Sequence, residues 1–131
     1  MVVDASAVIA IALNEADAGR LATAIFRSTR RLIAMPTVLE ITLVVGGRTG
    51  VAGRQMLGRL LGSLDLTAVA FDADHLALAE AAAWWQFGKG RHPARLNFGD
   101  CFSYALAKIE DEPLLFKGND FRLTDIRPAP Y

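Results

Sequence analysis

Short apolar runs alternate along this chain with longer segments in which apolar residues recur at helical spacing. In the first quarter of the sequence, the pattern predicts strands over residues 1–3 and 31–35 and helices over residues 7–13 and 17–28. A buried strand, helical segments and a second strand in this order are typical of a βαβ unit, which joins two parallel strands.

The rest of the chain continues this alternation. A helix that begins at Pro36 and ends near Gly46 and Gly47, followed by a helix over residues 51–64, predicts a helical hairpin. Further strands are predicted over residues 66–71 and 113–116 and from Ile126, and further helices over residues 72–87 and 98–109. Because parallel strands need crossover connections that are usually helical, the pattern predicts an α/β fold with a mostly parallel central sheet.

The composition is that of a compact globular protein, and 131 residues suit a single domain over residues 1–131. Hydrophobic residues make up 53% of the chain, which indicates a very apolar interior or a buried subunit interface. Fourteen basic residues balance fourteen acidic ones, so any attraction to nucleic acid must come from a local patch. No uncharged apolar stretch is long enough to span a membrane, and a single cysteine, Cys101, favours a cytoplasmic protein.

Four acidic residues lie where predicted strands end or predicted helices begin. This acidic quartet consists of Asp4, Glu40, Asp100 and Asp120. In parallel sheets, ligands bind beyond the carboxyl ends of the strands, and three of these acids follow strands while Asp100 lies at a helix start. Carboxylates gathered in one place must share protons or hold a cation. The pattern therefore predicts a metal-dependent site for phosphate chemistry.

Each acid also has a purely structural explanation. Asp4 can cap the helix that follows it, and residues 37–40 match the S/T-x-x-E capping box. Asp100 can complement a helix dipole, and Asp120 lies in a segment that favours turns. The prediction of a site therefore depends on the four acids converging at one edge of the sheet.

A basic loop precedes Asp100. Its three permanent cations and one histidine are Lys89, Arg91, His92 and Arg95. Such a loop beside an acidic pocket suits a phosphodiester substrate, because the cations can contact phosphates of the backbone. The alternative is a solvated loop without a ligand, and nothing in the sequence gives His92 a catalytic partner.

Other residues with chemical potential are better explained by packing. Trp84, Trp85 and Phe87 can stack on bases, but adjacent aromatic residues at a helix end more often fill a core or a dimer surface. His75 is expected to face solvent or to pack on its helix. Cys101 belongs to no zinc-binding pattern, and the glycine-rich motifs of nucleotide-binding loops are absent from the sequence.

Three segments together resemble a known family. They are VDASA at residues 3–7, LNFGDC at residues 96–101 and LLFKGNDF at residues 114–121, with Glu40 between the first two. In order and spacing, over nearly the whole chain, they are similar to PIN-domain ribonucleases of the VapC toxin type.

This resemblance implies a three-layer α/β/α sandwich and a site built on the acidic quartet. Asp4 and Asp100 would be the chief ligands of Mg²⁺, for which Mn²⁺ can substitute, and the other two acids would complete the catalytic set. Some family members carry an acid where this chain has Gly118. Supporting polar contacts would come from Ser6, Asn97 and Asn119.

The resemblance also implies a function. The chain would be the toxin of a type II toxin–antitoxin system, a homodimeric Mg²⁺-dependent endoribonuclease inhibited by a VapB-type antitoxin. Two alternatives remain at this point. One is a non-catalytic module with the same fold that binds antitoxin or RNA. The other is a phosphoacceptor receiver domain, in which Lys117 would imitate a late lysine, although paired acids after the first strand are lacking.

Overall fold

A computed structural model, which describes residues 1–131, contains a sheet of four short parallel strands in the order β3-β2-β1-β4. The strands are β1 (Val2–Val3), β2 (Leu32–Ala34), β3 (Thr67–Val69) and β4 (Leu114–Leu115). Val2 lies opposite Leu32 on one side and Leu114 on the other. The predicted parallel sheet is therefore confirmed, with β1 and β2 at its centre.

Helices cover both faces of this sheet. They are α1 (Ala5–Ala12), α2 (Ala18–Arg27), α3 (Met35–Leu64), α4 (Ala73–Leu78), α5 (Trp85–Phe87) and α6 (Phe98–Ile109). Neighbouring strand residues point to opposite faces, so Val2 joins the core beneath α6 whereas Val3 joins the core beneath α1, α2 and α3. Two hydrophobic cores on one sheet give the α/β/α sandwich that was expected.

The long segment α3 is broken once, at Gly50, whose φ of 66° and ψ of −157° lie outside the helical region. A straight helix of this length would extend about 45 Å. Yet Met35 directly follows β2, and the carbonyl oxygen of Leu64 accepts a hydrogen bond from Arg31, just before β2, at 3.4 Å. The chain therefore doubles back at Gly50, and the predicted hairpin turns there and not at Gly46 and Gly47.

Three other boundaries differ from the sequence prediction. The helix expected over residues 72–87 contains a π-helical stretch, Ala79–Trp84, between α4 and α5. Met35, expected at the end of a strand, is the first residue of α3. The strand expected from Ile126 is reduced to one isolated bridge, between Leu114 and Pro128. None of the helices combines the length and the apolar character that a membrane crossing requires.

Candidate active site

Asp4 lies between the end of β1 and the start of α1 and is buried. Its Oδ2 atom accepts hydrogen bonds from the main-chain N–H and the hydroxyl group of Ser6, at 2.9 and 2.6 Å. The same hydroxyl oxygen accepts a hydrogen bond from the main-chain N–H of Lys117, at 2.9 Å. Asp4 therefore caps α1, and Ser6 connects it to the segment that follows β4.

Glu40 lies in the second turn of α3, and its Oε2 atom is buried without any hydrogen-bond partner. Burial, and to a lesser degree the charge of Asp4, raises the pKa of Glu40 above its usual value. The capping-box interpretation of Glu40 is wrong, because α3 begins at Met35 and the preceding Ala34 offers no side-chain cap. Helix capping therefore does not explain why a carboxylate lies at this position.

Asp100 lies in the first turn of α6, with its side chain almost fully buried. Its Oδ2 atom accepts a hydrogen bond from the main-chain N–H of Asn97 at 2.7 Å, and the Asn97 Oδ1 atom accepts one from the Asp100 N–H at 3.1 Å. Burial raises the pKa of Asp100 to about 7, against the opposing effect of the Asn97 hydrogen bond. Asp100 thus completes a capping box with Asn97, and its carboxyl has a raised pKa in the same place.

The acidic quartet shares one electrostatic environment. The charges of Asp4, Asp120 and Glu40 all contribute to the raised pKa of Asp100. Asp120 begins a short 3-10 helix, Asp120–Leu123, and its side chain is exposed, as is that of the neighbouring Asn119. No three of these side chains are arranged so that they could hold one metal ion by themselves. The structure therefore gathers the quartet without closing it into a complete metal cage.

A cavity of about 690 Å³ opens beside Glu40, Asn97 and Gly99. Its other walls are apolar and consist of Pro36, Leu39, Leu43, Val44, Phe98 and Phe102. Phe98 is 77% exposed, and Leu39 and Leu43 are also largely exposed. The acidic site is thus flanked by an apolar surface.

The basic loop runs between α5 and α6, and its four predicted contact residues line one open cleft. That cleft contains no member of the acidic quartet. The guanidinium group of Arg91 lies over the rings of Trp85 and Trp84, 4.2 and 5.3 Å from their centroids. The His92 Nδ1 atom accepts a hydrogen bond from the Ala94 N–H at 3.1 Å, so it shapes the loop.

The remaining candidates divide between core and surface. His75 is buried, with its Nδ1 atom 2.7 Å from an oxygen of Asp72 at the start of its own helix, so of the two expected placements it packs on its helix and does not face solvent. Cys101 is buried, as expected for a small hydrophobic residue. Trp84 packs against the core, but Trp85 is 58% exposed, which contradicts a packing role for it within this chain.

Two residues next to the acidic quartet were not predicted from the sequence. Gly99 lies against the carboxylate of Glu40, and the signal for it was an isolated glycine inside a predicted helix. Lys117 was considered only for a receiver domain, whereas its main chain binds Ser6 and its Nζ atom pairs with Glu15 at 2.5 Å. No sequence pattern indicated that ion pair.

Known proteins match nearly the whole length of this chain. The family described as PIN domain matches residues 1–126. Ribonuclease VapC of Mycolicibacterium smegmatis is 46% identical over 126 residues, which cover 96% of this chain and 97% of that protein. Ribonuclease VapC30 of Mycobacterium tuberculosis is 47% identical over 126 residues, covering 96% of this chain and 95% of the relative.

A solved structure agrees with the fold. The crystal structure of VapC20 from Mycobacterium tuberculosis, described as a toxin that cleaves the sarcin–ricin loop, superposes with a TM-score of 0.74. It covers 95% of both chains at 17% sequence identity, so this likeness concerns the fold alone. The family match and the close relatives carry the assignment: the chain belongs to the PIN-domain family and, within it, to the VapC ribonuclease toxins.

Proposed function

We propose that the acidic quartet is the active site at which this ribonuclease hydrolyses RNA phosphodiester bonds with a divalent cation, Mg²⁺ or in its place Mn²⁺. The observation that carries the proposal is the raised pKa of Asp100, about 7, which is raised mainly by burial and further by the charges of three other carboxylates. None of the main causes of the pKa shifts at Asp100 and Glu40 is a basic side chain. A cation is the partner that such a site lacks.

The residues present fit Mg²⁺. Its preferred ligands are oxygen atoms, and it usually keeps several waters while binding one or two carboxylates, so a complete protein cage is not required. Asp4 and Asp100 are the proposed direct ligands, and Glu40 and Asp120 act directly or through water. The buried Oε2 atom of Glu40 has no partner within the protein, which supports a ligand in the adjoining space. PIN-domain VapC nucleases depend in general on divalent metals.

When bound, the cation would supply charge neutralisation at the scissile phosphate. The chain itself supplies orientation and a proton acceptor. Ser6 holds the Asp4 carboxylate and Asn97 holds that of Asp100, each through hydrogen bonds that restrict the side chain. The free oxygen of Glu40 can accept a proton from an attacking water, and the raised pKa of this carboxyl suits proton transfer.

The RNA backbone would be held by the basic loop. Lys89, Arg91, His92 and Arg95 share one cleft, and the side chains of Lys89 and Arg95 are exposed. Lysine and arginine contacts to phosphates would position the strand without selecting its sequence. The shape of the groove and the contacts of the loops would determine which RNA is cut.

Partners and location follow the family. We propose a homodimer and a VapB-type antitoxin as partners, because the apolar walls beside the site are largely exposed in the isolated chain. We further propose that residues 1–131 form a single domain, since both cores are built on one sheet. A cytoplasmic location is proposed from the single, unpaired cysteine.

The test is cleavage of a 5′-labelled RNA pool by the antitoxin-free protein, with Mg²⁺ or with a chelator. The proposal expects cleavage only with the metal, products that carry a 5′ phosphate, and no cleavage by Asp100→Asn. Asp65→Asn is the matched control, because the Asp65 side chain is 89% exposed. Products with a 2′,3′-cyclic phosphate would contradict the mechanism. Unchanged cellular effects of Asp100→Asn would instead support a non-catalytic binding module.

A further inference from the structure

The Cα atom of Gly99 faces the end of the Glu40 side chain. A Cβ atom added to Gly99 would lie 2.5 Å from Oε1 and 2.7 Å from Cδ of Glu40, and closer still to Oε2. Favourable contacts between heavy atoms lie near 3.5 to 4.0 Å, so a side chain at Gly99 and the present position of the Glu40 carboxylate exclude each other.

An added Cβ atom would also clash at Gly53 and Gly88, but there the neighbouring residue lies only four positions earlier in the chain. Gly99 is buried in the first turn of α6, between the capping residue Asn97 and the quartet member Asp100. Glu40 belongs to α3, so the glycine lets two helices bring their carboxylates to the same place. By contrast, a Cβ atom at Gly58 or Gly62, both in the second arm of α3, would meet nothing within 4 Å.

The backbone conformation at Gly99 does not require a glycine. Its φ is not in the left-handed region, in contrast to Gly50, Gly90 and Gly118. In a helix, alanine is more favourable than glycine, because glycine loses more conformational freedom on folding. The sequence thus accepts a poorer helix former at this position, and the atoms nearest to an alanine methyl group here would all belong to the carboxylate of Glu40.

We propose that Gly99 is a positioning residue whose missing side chain seats the Glu40 carboxylate beside Asp100. This inference rests on the proposed function of the quartet and deepens it. An alanine at this place would push the flexible end of Glu40 away and leave the rest of the fold intact. The loss would therefore appear in the site and not in stability.

The test compares Gly99→Ala with the control Gly58→Ala by Mn²⁺ calorimetry, thermal unfolding and RNA cleavage. Gly99→Ala is expected to weaken Mn²⁺ binding and cleavage by about 10- to 100-fold, the usual cost of disturbing a group that orients a ligand. Its thermal midpoint is expected to equal or exceed that of the wild type. Gly58→Ala is expected to leave Mn²⁺ binding and cleavage unchanged.

A second substitution tests the contact itself. Glu40→Asp shortens the acid by one methylene, so it should weaken Mn²⁺ binding less in the Gly99→Ala background than in the wild type. Equal losses in both backgrounds would overturn the inference, as would wild-type Mn²⁺ binding by Gly99→Ala. If Gly99→Ala does not fold, the double variant Gly99→Ala, Glu40→Ala should fold; its failure would also overturn the inference.

The proposed function itself can fail separately. If Glu40→Ala binds Mn²⁺ and cleaves RNA like the wild type, then the quartet assignment of Glu40 is wrong, whatever Gly99→Ala does. If Glu40→Ala is impaired and Gly99→Ala is not, then only the positioning role of Gly99 is refuted.

Discussion

Asp4 and Lys117, which follow neighbouring strands of the sheet, are joined through one hydroxyl group. The Ser6 hydroxyl donates to the Asp4 carboxylate at 2.6 Å and accepts from the Lys117 main-chain N–H at 2.9 Å. Because Lys117 begins the segment that carries Asp120, this bridge couples the positions of two members of the acidic quartet.

Ser6→Ala is expected to break this bridge. The Lys117 N–H would lose its partner, and the free energy of unfolding should fall by about 1–3 kcal/mol. RNA cleavage should also fall, because Asp4 keeps only the hydrogen bond from the main-chain N–H of residue 6. Chemical denaturation and the cleavage assay measure the two effects. Ser63→Ala, which removes an exposed local hydrogen bond, is the control and should change neither.

The raised pKa of Asp100 predicts an unusual dependence of stability on pH in the metal-free protein. The folded state holds the proton up to a pH of about 7, whereas the usual value is 3.8. Between these values the folded state binds more protons than the unfolded state, so the free energy of unfolding falls as pH rises. The upper limit of this loss is about 4 kcal/mol.

Asp100→Asn isolates that contribution. The variant lacks the titrating group but keeps an oxygen for the Asn97 N–H. Its free energy of unfolding minus that of the wild type should therefore increase from pH 4 to pH 7 and then level off. Carboxyls with lowered pKa values, such as Glu112 and Asp125, act in the opposite direction but equally in both proteins. A constant gap across this range would show that Asp100 titrates normally.

The basic loop should contribute to RNA affinity in a salt-dependent way. Lys89→Ala is expected to weaken binding of uncleaved RNA about equally for all sequences and to lower the slope of log affinity against log salt by about 1. Fluorescence anisotropy with a chelator present measures this without cleavage. Arg59→Ala, an exposed cation in the second arm of α3, is the control. Identical salt slopes for Lys89→Ala and the wild type would remove Lys89 from the RNA-binding surface.

The turn of the α3 hairpin should depend on Gly50. Its φ of 66° is poorly accessible to residues with a Cβ atom, so Gly50→Ala should lower the free energy of unfolding by about 1–2 kcal/mol. Gly58→Ala, at a helical position, should instead raise it by about 0.5–1 kcal/mol. If urea denaturation gives Gly50→Ala the same stability as the wild type, the chain does not reverse at this residue.

Much of this fold follows from local patterns in the sequence. The bounds of α6, Phe98–Ile109, coincide with the predicted helix, because Asn97 and Asp100 cap it and almost all of the following residues up to Ala107 are buried. The parallel sheet follows from the alternation of apolar strands and helices. The prediction of the quartet rests on the same pattern, because strand ends meet at one edge of such a sheet.

Other features depend on tertiary contacts that local patterns do not contain. Thr37 and Glu40 match a capping box in sequence, but the helix begins earlier, because α3 starts directly after the last residue of β2. The position of Gly99 against Glu40 depends on how two helices pack, which the spacing of residues does not specify.

The central claim, that the acidic quartet binds a divalent cation, is tested most directly by calorimetric titration of the metal-free protein with Mn²⁺ at pH 8. The account predicts saturable binding that is lost in folded Asp100→Asn and retained in Asp65→Asn, whose exposed carboxylate lies outside the quartet. Binding of equal strength by Asp100→Asn and the wild type would contradict the account.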